Sequence, residues 1–175
     1  MLSFLVLLAI IAIIIVVVAI SVSNSWGKMR KQAEKDTIEH SSVCDTISYI
    51  TERPDIWFYE FKEDEINELT FHILRNDELI GDTVIRYPSV SDRNYSWKEI
   101  PYDCFLKTDT IVVMTKDSLY FYISDYHHYA NLHYGMFGYL GHSDCRLSKN
   151  CVINGVPYSY ASLNKSEGLK KSLTH

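Results

Sequence analysis

The chain has 175 residues and a formal net charge of −5, all of it outside an uncharged start, since the first charged side chain is Lys28. No long basic stretch comes after it, which argues against nucleic acid as a partner. Thirteen tyrosines against only 7 glycines and 4 prolines exclude a low-complexity or disordered composition for the rest of the chain, and about 155 residues suffice for one compact domain with its own core.

Residues 2–20 form an apolar run broken only by Ser3. At about 1.5 Å per residue a helix of this length nearly matches the roughly 30 Å hydrocarbon core of a bilayer. Its Leu, Ile, Val and Phe side chains favour insertion by roughly 5 to 9 kcal/mol on a biological scale. The run lacks a basic n-region and exceeds the apolar core of a signal peptide, although Ala19-Ile20-Ser21 resembles a cleavage site; a retained signal-anchor over residues 1–22 is the expectation. Lys28, Arg30, Lys31 and Lys35 lie just beyond it and point to a cytoplasmic C-terminal domain. Against that stands the frequency with which short N-terminal anchors lead a domain out of the cell.

Residues 23–52 read as a juxtamembrane helix or stalk. Trp26 suits the membrane interface, and Trp26, Met29, Ala33, Asp36, His40, Val43, Ile47 and Ile50 share one face. Asp36 and His40 weaken this stripe as a coiled-coil seam, so docking on the chain's own domain is expected over self-association.

After Arg53-Pro54 the periodicity changes from helical to alternating. Ile56–Phe61, Leu69–Ile73 and Leu79–Tyr87 read as strands, the last two joined through Arg75-Asn76-Asp77-Glu78. Thr110–Thr115 and Leu119–Ser124 form the clearest hairpin. Asn154-Gly155 marks a two-residue type I′ turn between Cys151–Ile153 and Val156–Tyr158. Short strands without a second strong helix predict a mainly-β domain over 53–162, an antiparallel sandwich or small open barrel, with a flexible tail over 163–175. Tyr120 and Tyr122 face away from Leu119, Phe121 and Ile123 and are expected to pack beneath another element.

Segment 127–151 concentrates the chemically capable side chains: His127, His128, His133, His142, Cys145 and Cys151. Zinc takes about four N or S ligands, usually as two close pairs. Only His142 and Cys145 have a familiar spacing, and neither Cys-x-x-Cys nor His-Glu-x-x-His accompanies them. His133, His142, Cys145 and Cys151 are therefore weak metal candidates, and packing imidazoles bonded to carbonyls are the better reading. Cys145 and Cys151 enclose a short loop that an oxidising compartment would allow to close, whereas a cytoplasmic domain would leave buried thiols. No residue pair has a spacing that catalysis requires, so no catalytic residue or cofactor is assigned. Gly135, Gly138 and Gly141 read as tight turns between aromatics rather than a nucleotide loop. The sequons at Asn94 and Asn164 stand against about one expected by chance and decide nothing.

In outline, a hydrophobic N-terminal helix running into a β-rich domain with a late Cys pair resembles type IV pilins and pseudopilins. The charged residue near the start of the pilin helix and the leader-peptidase glycine have no counterpart here. The residues thus predict an anchored β-domain that binds the bilayer through residues 2–20 and a protein partner or second copy through a Tyr- and His-rich surface over 120–142. The competing reading is a tethered metal-dependent or thiol enzyme using 127–151.

Overall fold

A computed structural model describes residues 2–87, 95–136 and 138–170. It consists of one long N-terminal helix and, after it, a mostly-β region, and the chain divides into two compact units: residues 1–44 with 130–145, and 45–129 with 146–175.

In the first unit, helix α1 (Leu2–Asp45) runs without a break out of the apolar segment into the polar stalk. Residues 10–22 are exposed along every face, and α1 is the one helix among the described residues long and apolar enough to cross a membrane. The helix stops at Asp45, short of the expected Ile50. Ser41 and Ser42 turn their hydroxyls back onto the carbonyls of Ile38 and Glu39, a habit that weakens helix continuation. Strand β1 (Tyr49–Ile50) then pairs with β6 (Phe105–Leu106). Long-range strand pairing overrides the helical spacing of Ile47 and Ile50.

The second unit contains β2 (Asp55–Tyr59), the short helix α2 (Glu63–Ile66), β3 (Glu68–Arg75), β4 (Glu78–Arg86), β5 (Tyr95–Glu99), β7 (Thr110–Thr115), β8 (Tyr120–Ser124), β11 (Cys151–Ile153), β12 (Val156–Tyr158) and β13 (Ser162–Asn164). Between β8 and β11 the chain forms β9 (His128–Gly135) and β10 (Gly138–Leu147), which pair with each other. Six strands form one antiparallel sheet in the order β12-β11-β8-β7-β3-β4, and three form a second in the order β13-β2-β5.

The alternation seen in the sequence sets the faces. Leu69, Phe71 and Ile73 of β3, Ile111 and Val113 of β7, and Phe121 and Ile123 of β8 enter a common core with Ile56 and Phe58 of β2. Tyr122 is buried on the opposite face, as expected, and Tyr120 is half-buried. The turns also hold: Asn76 and Asp77 both adopt positive φ between β3 and β4, as do Asn154 and Gly155 between β11 and β12, the pattern of a type I′ turn. A bulge interrupts β3–β4 between His72 and Ile73, with Gly81, at φ +70°, as the extra residue.

The chain past Ser162 departs from the expected tail. β13 pairs in parallel with β2, a 3-10 turn comes next at Lys165–Glu167, and Leu169 exchanges backbone hydrogen bonds with Tyr120. The cause is Leu163, fully buried in the core. One apolar residue in a three-residue strand carries no periodicity to read. Residues 171–175 and the Asn94 sequon lie outside the described residues, and Asn164 ends β13.

Candidate functional site

Along the first unit, Met29, Ala33, Asp36, His40 and Cys44 succeed one another at intervals of three or four and so share a helix face. Residues 130–145 cover that face. Gly138 lies against Met29: a Cβ there would stand 2.7 Å from the methionine sulfur, and its φ of +120° also demands glycine. Tyr139 donates its hydroxyl to Asp36 Oδ2 at 2.5 Å, while Gln32 donates to Oδ1 at 2.7 Å. The rings of His40 and His142 stack with centroids 3.2 Å apart. Cys44 and Cys145 are joined by a disulfide across 101 residues of sequence.

The two polar interruptions of the helical stripe are thus its contact points. The hydrogen bond from Tyr139 holds the Asp36 carboxyl below its ordinary value. Desolvation, with that same carboxylate beside it, pushes the Tyr139 phenol up to about 12. The stripe that suggested either self-association or docking is covered by the chain's own hairpin, and Val43, assigned to it from spacing, is exposed while Cys44 is buried.

The weak metal candidates are accounted for individually. Cys145 is in the disulfide, with Cys44 and not with Cys151. His142 stacks on His40, and His133 lies exposed 3.5 Å from the Asn131 amide. Cys151 belongs to the second unit, where burial pushes its thiol up to about 11, away from nucleophilic use. Among the described residues no group of three or more His, Cys, Asp or Glu is disposed to hold a metal. His127 Nδ1 lies 3.0 Å from the Asp125 carbonyl, the backbone bonding expected of these imidazoles, and His128 is buried 3.4 Å from Glu52. The exposed part of the Tyr-rich 120–142 surface is Tyr129 and Tyr134, beyond β8 itself.

The second unit holds a cavity of 540 Å³ that the sequence did not disclose. Trp57 and Tyr59 come from β2, Leu147 from the end of β10, Cys151 from β11, Tyr126 from the segment after β8, and Tyr160 and Ala161 from the approach to β13. Arg53 and Lys149 bring positive charge to it. Arg53 is held by Asp103 through its Nε at 2.8 Å and Nη2 at 2.5 Å. Tyr126 packs edge-on against Phe105 and is only 3 % exposed, and its hydroxyl has no hydrogen-bond partner among the described residues. A second hollow, of 710 Å³, is lined by Tyr87, Trp97 and Lys98, but there the Lys98 ammonium already sits 4.3 Å over the Tyr87 ring.

The cavity offers aromatic faces and an apolar floor, edged by Lys149, by the carboxylate Asp55 and by Arg53, which Asp103 already holds, and the thiol within reach is Cys151, whose burial disfavours the thiolate. Comparison with protein-family models, with curated proteins and with solved structures finds no match for this chain.

Proposed function

We propose that this chain is a single-pass membrane protein whose β-rich unit, two sheets closed as a sandwich over one core, binds a partner protein. The cavity between Trp57, Tyr59, Tyr126 and Tyr160 is the observation that carries this reading. Its Trp, Tyr and Arg content is that of interface anchors. Exposed isoleucines and valines along residues 10–22 support lipid as the medium of α1, because water would leave that surface uncompensated.

The Cys44–Cys145 disulfide supports an extracytoplasmic position for the stalk and hairpin, since such bridges persist in oxidising compartments. This weighs against the basic flank at Lys28–Lys35, and we take the disulfide as the stronger signal because it also accounts for the burial of Cys44.

The test is a photoreactive phenylalanine analogue placed at Tyr160 in native membranes, with the same analogue at exposed Leu79 on edge strand β4 as control. A discrete protein adduct at Tyr160, absent at Leu79 and lost with Trp57→Ala, supports binding in this cavity. Equal yields at both positions, or no adduct, overturn it.

A further inference from the structure

We infer that the turn between β9 and β10 rests in the headgroup layer of the bilayer that α1 spans, giving the protein a second lipid contact beside its span. The inference depends on the membrane-spanning reading of α1.

Position along the helix carries the argument. The contacts of the hairpin descend α1 in order: Cys145 at Cys44, His142 at His40, Tyr139 at Asp36 and Gly138 at Met29. The strand therefore runs down the stalk toward the apolar segment, and its first residue, Gly138, lies at the level of Met29. Trp26, which lines one groove with Tyr134, Gly138 and Tyr139 of the hairpin, stands four residues past Val22, about 6 Å along the axis, which is the depth of a headgroup layer. A groove of 290 Å³ at this level is lined by Trp26, Met29 and Arg30 of the helix and by Tyr134, Gly138 and Tyr139 of the hairpin.

The side chains match that layer. Met136 is 88 % exposed and Leu140 71 %, beside exposed Tyr134 and Trp26. Among the described residues of this unit these four large apolar side chains stay exposed. In the interface they become an aromatic belt with apolar wedges, and Lys28, Arg30 and Lys31 on the neighbouring turn meet lipid phosphates. A second protein copy would also cover the apolar groups, but the basic residues favour the phosphate layer.

The test uses the full chain in vesicles of phosphatidylcholine and phosphatidylglycerol, in a Cys104→Ser background that removes the exposed free thiol. Nitroxide labels at Met136→Cys, Leu140→Cys, Ile14→Cys and Ile38→Cys are compared for collisions with oxygen and with a water-soluble nickel chelate. Ile14 reports the span. Ile38, exposed and about 24 Å beyond Val22 along the helix, reports water. The expected result is a several-fold lower nickel accessibility at Met136 and Leu140 than at Ile38, with Ile14 rich in oxygen. If Met136 and Leu140 match Ile38 while Ile14 remains in lipid, the turn is in water and the inference fails alone. Spin–spin broadening at Met136 with water-like accessibility likewise overturns it, in favour of a second copy. If Ile14 itself is accessible to nickel, the spanning reading fails and takes this one with it.

Discussion

Removing the Cys44–Cys145 bridge is the sharpest perturbation of this fold. The two cysteines are separated by 101 residues, and the loop they close contains most of the β-rich unit. In the chain-entropy description a closed loop of about 100 residues stabilises the native state by roughly 4.7 kcal/mol, or about three orders of magnitude in the unfolding constant. With a urea dependence of about 2 kcal/mol per molar, the unfolding midpoint of the oxidised protein in detergent should fall by roughly 2 M in Cys145→Ser. A double-mutant cycle separates a covalent bridge from two independently packed thiols. Either single substitution abolishes the bond, so Cys44→Ser, Cys145→Ser and the double variant should lose nearly the same stability, with a coupling energy close to the whole effect. Additive losses, together with an unchanged mass on reduction and alkylation, would refute the bridge and remove the main support for an extracytoplasmic domain.

Four further outcomes rest on single contacts. Asp109 is fully buried, accepts two hydrogen bonds at 2.7 Å from the Arg75 guanidinium and a third from the Leu106 amide; Asp109→Ala leaves the Leu106 amide without its acceptor and frees the part-exposed Arg75, and should cost about 1 to 3 kcal/mol in chemical denaturation. Leu163→Ala should cost about 2 to 5 kcal/mol, whereas a frayed tail would show no change. In thiol labelling at pH 8 the exposed Cys104 should react and Cys151, pushed up to about 11 by burial, should not until the protein unfolds. The Tyr139–Asp36 bond sets opposite limits in pH. The lowered Asp36 stabilises above the ordinary carboxylate range and loses this as pH falls through its folded value, while Tyr139 stabilises below pH 10 and loses this as pH rises through about 12. Phenolate absorbance in Asp36→Asn should therefore show one tyrosine returning toward the ordinary range, and an unchanged titration would break the assignment.

What could be read in the chain was local. Leu69, Phe71 and Ile73 announce β3 because alternation is a property of neighbours, and Asn154-Gly155 announces its turn because positive φ is chosen by those two residues. The cavity was not legible in that way. Trp57 and Tyr59 were visible as strand residues, but nothing near them specifies that Tyr126, Leu147 and Tyr160 arrive beside them from segments up to about a hundred residues away. The partner of Cys44 was hidden for the same reason, and the short enclosed loop made Cys151 the more obvious mate for Cys145. β13 was missed because a three-residue strand with one core side chain resembles any polar tail.

The helix stripe shows how a local irregularity acquires meaning from a distant segment. Met29 to Cys44 is fifteen residues, about 22 Å of helix, and Gly138 to Cys145 is seven residues, about 23 Å of strand. Because the two lengths agree, one strand can meet successive turns of one helix face without a break in either, which is why Asp36 and His40 occupy positions an apolar seam would fill. Leucines there would bind the hairpin in several registers. A carboxylate that needs Tyr139 and an imidazole that needs His142 accept one, and the disulfide closes only in that one. A one-residue insertion between His40 and Cys44 would turn Cys44 by about 100° away from Cys145 while leaving Tyr139 and His142 seated. The polar pair and the bond thus specify one register through different contacts, and in Cys145→Ser the Tyr139 phenol should still titrate above the ordinary tyrosine range, whereas a hairpin placed by the bond alone would let it return there.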